Sequence, residues 1–250
     1  MPALIRFKEA DLGYGQSLIL RGVNCVIERG ESVGLVGQNG SGKTTFLRGV
    51  LGLIPPLSGK LEVDSSQCFA YVPQMENLNF YLPLTVREAV YLTARAKRFL
   101  GGITAMEKLA AESAMERVGI NEIANKLIRE CSGGQRQKTI LAQAISQKPD
   151  VLLLDEPTKG LDVIAERDLL SLIDSIKKER DLTLLLVTHS LHIPLNHMEK
   201  IFLFCKQSLI PTTPDELIHT KKLEQIYGAT FLHHEFDGFR WVQPLKQEAL

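Results

Sequence analysis

The chain has 250 residues, enough for one large domain or two small ones, with room for a sizeable buried core. Hydrophobic residues make up 44% and charged residues 23%, the balance of an ordinary globular chain, which excludes collagen-like, coiled-coil and disordered architectures. Lys plus Arg and Asp plus Glu number 29 each, and a net charge of zero argues against a dedicated nucleic-acid binder, whose affinity rests on neutralising phosphates.

The first eleven residues carry Arg6, Lys8, Glu9 and Asp11, so no signal-peptide core is expected there. No apolar run approaches the roughly 18–20 residues needed to span a bilayer. The expectation is a soluble cytoplasmic chain that another chain must hold if it works at a membrane. Cys25, Cys68, Cys131 and Cys205 are far apart and form no C-x-x-C pair, which reads as isolated reduced thiols rather than a disulfide framework or zinc site.

Short, turn-bounded strand candidates at residues 4–7, 23–27, 61–63 and 69–72 suggest a small β layer beside the core. Val33-Gly34-Leu35-Val36 reads as a buried strand leading through a glycine-rich turn into a helix from about Gly42. Between Pro83 and Ile128 the pattern turns helical. Thr85 with Glu88 three residues on forms a capping-box pattern, and a second helix is expected over about 104–118. The runs Val151-Leu152-Leu153-Leu154 and Leu184-Leu185-Leu186-Val187 are apolar on both faces, as central strands of a helix-covered parallel sheet are; residues 201–204 suggest a further strand. The expected fold is therefore α/β, a parallel-sheet core with an N-terminal antiparallel β subdomain and an inserted helical subdomain at about 76–135.

Gly37-Gln38-Asn39-Gly40-Ser41-Gly42-Lys43-Thr44 matches the phosphate-loop pattern G-x-x-x-x-G-K-[ST] between a strand and a helix. The glycines let several N–H groups converge on one phosphate chain, and the following helix adds the positive end of its dipole. Lys43 is placed to reach the β- and γ-phosphates and Thr44 to ligate Mg²⁺, with Thr45 completing the nucleotide-binding set. Asp155, at the end of a buried strand, supplies a metal carboxylate. Glu156 beside it is a candidate base for an attacking water.

Cys131-Ser132-Gly133-Gly134-Gln135 resembles the signature of ATP-binding-cassette (ABC) ATPases, usually written Leu-Ser-Gly-Gly-Gln. Tyr71-Val72-Pro73-Gln74 resembles the family's glutamine loop, Thr158-Lys159-Gly160-Leu161-Asp162 its D-loop, and Thr188-His189 its switch histidine. Tyr14, 29 residues before Lys43, stands where the family places an aromatic that stacks on adenine. The motifs occur in family order from about residue 4 to residue 230, giving a single P-loop cassette over 1–235 and a C-terminal tail over 236–250. Cysteine in the signature's first place behaves as a small hydrophobe, and Lys159 stands where a smaller residue is common.

The resemblance implies two cassettes arranged head to tail around two ATP molecules. The phosphate loop of one and Ser132, Gly133, Gly134 and Gln135 of the other then face the same γ-phosphate. It implies that Gln74 contacts Mg²⁺ and the attacking water, that His189 holds the γ-phosphate and orients Glu156, and that Asp162 communicates across the dimer. Residues 71–90, with the turn Pro83-Leu84-Thr85-Val86, resemble bacterial zinc/manganese and iron-chelate uptake ATPases, as do residues 213–217 and 223–228. The expected function is the ATPase subunit of such a transporter, at the cytoplasmic face of the membrane. Its partners would be separate permease chains, a second copy and an extracytoplasmic binding protein, without nucleic acid. The alternative is a soluble ABC ATPase of an assembly complex, such as that for iron–sulfur clusters, although Gln135-Arg136-Gln137-Lys138 suits transport cassettes better. A module that binds nucleotide without hydrolysis would be expected to lack Glu156, His189 or Ser132, and all three are present. His233-His234-Glu235 invites a metal-site reading, but adjacent histidines on a strand point apart, and a solvated tail is expected instead.

Overall fold

The computed structural model describes residues 3–95, 102–179 and 181–245. In chain order the first half contains β1 (Ala3–Tyr14), β2 (Ser17–Glu28), β3 (Ser32–Gly37), α1 (Lys43–Val50), β4 (Ser58–Val63), β5 (Phe69–Val72), α2 (Val86–Arg95), α3 (Ala105–Arg117) and α4 (Gly133–Ser146). Then come β6 (Val151–Asp155), α5 (Val163–Glu179), β7 (Thr183–Thr188), α6 (His192–His197), β8 (Lys200–Cys205), β9 (Ser208–Thr212), α7 (Pro214–His219), α8 (Lys222–Tyr227), β10 (Phe231–Phe236) and β11 (Phe239–Pro244). These elements divide into two compact units, residues 1–64 with 184–250, and residues 65–183.

In the first unit, β2, β1 and β4 form an antiparallel sheet in that order. β1 keeps Ile5, Phe7, Ala10 and Leu12 buried although their spacing breaks the two-residue period. A register shift between Phe7 and Ala10, with Glu9 at φ 43°, inserts the extra residue that returns Ala10 and Leu12 to the core face. β3 lies between β7 and β8, parallel to both, and β9 runs antiparallel on β8. Every residue of β3 and β7 is buried, which is why these segments read as unbroken apolar runs. Phe46 of α1 stacks on Phe7 with centroids 4.7 Å apart and meets Phe202 and Phe204 edge-on at 6.1 and 5.6 Å. The helix that follows the phosphate loop is thereby fixed to both sheets of its unit.

The chain closes on a hairpin, β10 paired with β11, so the described part of 236–250 contains a strand. His233 and His234, expected in a solvated tail, lie within β10 and face opposite sides: His233 pairs with Val242, and His234 stacks on Trp241 at 4.7 Å. Phe231 and Val242, on the inner face, pack on the cluster of Val36, Leu195, Ile201, Leu203, Leu217 and Leu223. Among the described residues, no group of three or more His, Cys, Asp or Glu side chains is arranged to hold a metal ion, and no helix is long and apolar enough to cross a membrane.

In the second unit β5 pairs with β6 in parallel, Phe69 opposite Val151 and Val72 opposite Leu154. Residues 69–72 therefore belong to a parallel pair, not to the small β layer in which the sequence placed them; a four-residue apolar run looks alike in either setting. Helices α2, α3 and α4 pack against one another. Thr85 and Glu88 exchange hydrogen bonds at the start of α2, and Thr104 and Glu107 do so at the start of α3, satisfying N–H groups that the helix cannot. Arg87 ties the helices together, donating to Glu112 at 2.9 Å and Asn125 at 2.7 Å.

Phe46 has no exposed surface, and truncation would leave three aromatic partners facing a void. Phe46→Ala should lower stability by about 3–5 kcal/mol, read as a reduced midpoint in urea denaturation at unchanged slope.

Candidate nucleotide site

The sequence-predicted site residues fall into two groups, one in each unit. The first group begins where β3 ends. Gly37 cannot be replaced by a larger residue without collision, because a Cβ there would lie 2.6 Å from Ser41 Oγ and 2.7 Å from the Phe204 carbonyl oxygen. Gly42, the N-cap of α1, has φ 104° and would bring a Cβ to 2.7 Å from Leu20; only glycine meets both demands. Between them Gln38, Asn39, Gly40 and Ser41 form the loop. Lys43 is buried, and its ammonium donates to the carbonyl oxygens of Gly37 at 2.7 Å and Gln38 at 2.9 Å. Ser41 Oγ is buried without a hydrogen-bond partner, an uncommon state for a hydroxyl and one that a phosphate oxygen would relieve. Thr44 is exposed in the first turn of α1, while Thr45 is buried.

Tyr14 ends β1 and is 40% exposed. Its hydroxyl accepts from Arg48 Nη1 at 2.9 Å, and the same guanidinium lies 5.7 Å from the ring centroid. Arg48 thus fixes the ring in place, a role with no local signature beyond a basic residue in the last turn of α1. His189 follows β7 and is exposed. Because Thr188 pairs with Val36 in parallel, it emerges at the same end of the sheet as the phosphate loop.

The second group gathers at the ends of β5 and β6. Asp155 and Glu156 are 3% and 7% exposed. Asp155 accepts from the Tyr71 hydroxyl at 3.0 Å and from Gln74 Nε2 at 3.3 Å. Glu156 holds a left-handed φ of 50°, a conformation that non-glycine residues adopt at a cost and that clusters at functional sites. Lys159 lies 3.8 Å from its carboxylate and 2.8 Å from Glu76. The hydrogen bond to Glu76 holds the ammonium above its usual pKa.

Ser132 caps α4. Its hydroxyl accepts from the Gln135 N–H at 3.3 Å, and its own N–H donates to the Gln135 side chain at 3.0 Å. Gly133 and Gly134 have open space where a Cβ would sit, leaving the N-terminal end of α4 approachable by backbone. Ser132, Gly134, Gln135 and Asp162 line one cavity of about 520 Å³. Asp162 also caps α5, accepting from the Ala165 N–H at 2.8 Å. Cys131 is buried, donates to the Leu127 carbonyl at 3.5 Å, and has its thiol pKa raised by burial.

A buried strand ending in a glycine loop whose lysine turns back on the loop, followed by a helix, defines a P-loop nucleotide-binding domain. The family profile of ABC transporters matches residues 20–159, and the chain belongs to that family: it is an ATP-binding, ATP-hydrolysing component. It is 31% identical over 240 residues to the zinc import ATP-binding protein ZnuC of Pseudomonas savastanoi pv. phaseolicola, covering 94% of this chain and 87% of the relative. It is 33% identical over 225 residues to ZnuC 2 of Aliivibrio fischeri, covering 90% and 88%. Among solved structures, the fold matches a chain of a metal-chelate type ABC transporter in an inward-facing conformation with a TM-score of 0.88 at 23% identity, over 98% of this chain and 99% of that one. It also matches CbiO1 of Clostridium perfringens, part of the CbiONQ transporter complex, with a TM-score of 0.77 at 24% identity, over 89% and 93%.

Burial pushes the Cys25 thiol up to about 12 and raises Cys131, so little thiolate forms at neutral pH. Neither cysteine should label with iodoacetamide in the native protein at pH 7.5, and both should label in urea, as peptide mass spectrometry will show.

Proposed function

We propose that the chain acts as a single cassette over residues 1–235, with the helical insertion at 76–135, and energises uptake of a transition-metal ion, zinc in the first place, through separate membrane permease chains. The observation that carries this reading is the alignment of more than nine-tenths of the chain with zinc import ATP-binding proteins. A second copy completes the assembly head to tail at the cytoplasmic face of the membrane, and an extracytoplasmic binding protein delivers the metal. The metal is cargo and touches no residue of this chain.

In this reading the loop from Gly37 to Thr45 wraps the triphosphate, Lys43 exchanges its carbonyl partners for phosphate oxygens, and Tyr14, held by Arg48, offers its ring to adenine. Thr44, Gln74 and Asp155 each offer an oxygen, the hard donor that Mg²⁺ prefers, and the ion would neutralise phosphate charge when bound. Glu156 accepts a proton from the attacking water, and His189 orients the γ-phosphate and the base. Ser132, Gly133, Gly134 and Gln135 of the second copy present a hydroxyl, open backbone and a helix N-terminus to that phosphate, performing the charge stabilisation of an arginine finger. Asp162 relays between the copies.

Glu156→Gln should lower the rate of phosphate release by roughly 10²–10⁴-fold, the range for losing a general base, with ATP still bound. Deleting the gene from its host should reduce accumulation of radioactive zinc and growth under zinc chelation. The intact gene should restore both, whereas Lys43→Ala should restore neither; unchanged zinc accumulation in the deletion strain would rule zinc out as cargo.

A further inference from the structure

One short segment is tied to three parts of the second unit's catalytic machinery. Gln74 donates to Asp155 at 3.3 Å. In the single turn that follows, Met75–Asn77, Glu76 accepts from Lys159 at 2.8 Å, and the same ammonium stands 3.8 Å from the Glu156 carboxylate. Further on, the guanidinium of Arg136 sits 5.1 Å from the ring centroid of Phe80, close enough for a cation–π contact. Arg136 lies one turn into α4, just past the signature, and also donates to the carbonyl oxygens of Ile128 and Arg129 at 3.2 and 2.6 Å.

The Lys159 and Glu76 side chains are 41% and 65% exposed, and an ion pair so exposed contributes little to stability. Its geometric consequence is larger. The side chain of Glu156 is 6% exposed and hangs from a left-handed backbone position, so the turn that carries it and the charge beside it both act on its direction. That turn closes through the Lys159 N–H donating to the Glu156 carbonyl at 3.2 Å. Lys159 is therefore attached to Glu156 through the backbone and faces it through the ammonium, while Glu76 anchors the far end of the side chain to the segment after Gln74.

We infer that Lys159 is a positioning residue for hydrolysis, bridging Glu156 to Glu76 so that displacement of segment 74–80 redirects the Glu156 carboxylate. The inference rests on Glu156 serving as the base. A segment held at Glu76 by Lys159 and at Phe80 by Arg136 cannot shift without loading both the base and the signature helix, so Lys159 makes the Gln74 segment a control on the chemical step.

The test is steady-state ATP hydrolysis by the full-length chain and its variants, with thermal midpoints measured alongside. Lys159→Met should lower kcat about tenfold, the cost of a modest misplacement, with KM for ATP within about twofold because the phosphate loop is untouched. Its thermal midpoint should match the parent. Lys159→Arg, which keeps a cation in reach of both carboxylates, should recover most of kcat. Glu76→Gln should lower kcat less than Lys159→Met, and the double variant should be no slower than Lys159→Met alone, as expected of residues acting as one unit. A Lys159→Met kcat within about twofold of the parent, or losses that multiply in the double variant, would overturn the inference. Near-normal hydrolysis by Glu156→Gln in the same assay would instead remove the reading of Glu156 as the base.

Discussion

Removing an ammonium from water costs several kcal/mol unless oxygens replace its hydration, and that constraint organises the phosphate loop. The Lys43 ammonium is satisfied by the carbonyl oxygens of Gly37 and Gln38, which lie within reach only if the chain curls tightly after β3. The curl requires Gly37 against the Phe204 backbone and Gly42 in a left-handed turn. The helix after the turn must then be immovable, and Phe46, wedged among Phe7, Phe202 and Phe204, makes it so. A cluster with no polar atom in its side chains thus determines where the loop's buried cation sits.

The second unit solves a different electrostatic problem, two adjacent carboxylates that are nearly buried. Asp155 accepts hydrogen bonds from two neutral donors, the Tyr71 hydroxyl and the Gln74 amide, and carboxylate oxygens are the kind of ligand that hard cations prefer. Glu156 has a lysine nearby, but one that is shared. Asp155 takes hydrogen bonds from a hydroxyl and an amide, Glu156 stands at ion-pair distance from Lys159, and that lysine acts electrostatically on both acids.

What the sequence disclosed was whatever lies in one contiguous stretch. The phosphate loop, the signature with its capping serine, and the strand ends carrying Asp155 and His189 all declare themselves within a few residues, because backbone turns and caps are local chemistry. Arg48 under Tyr14, Tyr71 on Asp155 and the double engagement of Lys159 are contacts between segments up to 84 residues apart, and no local pattern encodes them. Residues 69–72 went to the wrong layer because a run of four cannot distinguish a parallel partner from an antiparallel one. The C-terminal hairpin was legible in principle. Asp237 and Gly238 both take positive φ, the conformation of a two-residue turn that an Asp-Gly pair between alternating segments signals; the paired histidines beside it drew the reading elsewhere.

That hairpin has an optical consequence. Trp241 is the only tryptophan of the chain, and it lies face to face with the His234 imidazole on the outer side of β10 and β11. Indole emission from this protein is therefore a single-site signal, sensitive to the ring stacked against it. Intrinsic fluorescence will follow the packing of the C-terminal hairpin, so a change in indole emission on adding nucleotide would report on that strand pair.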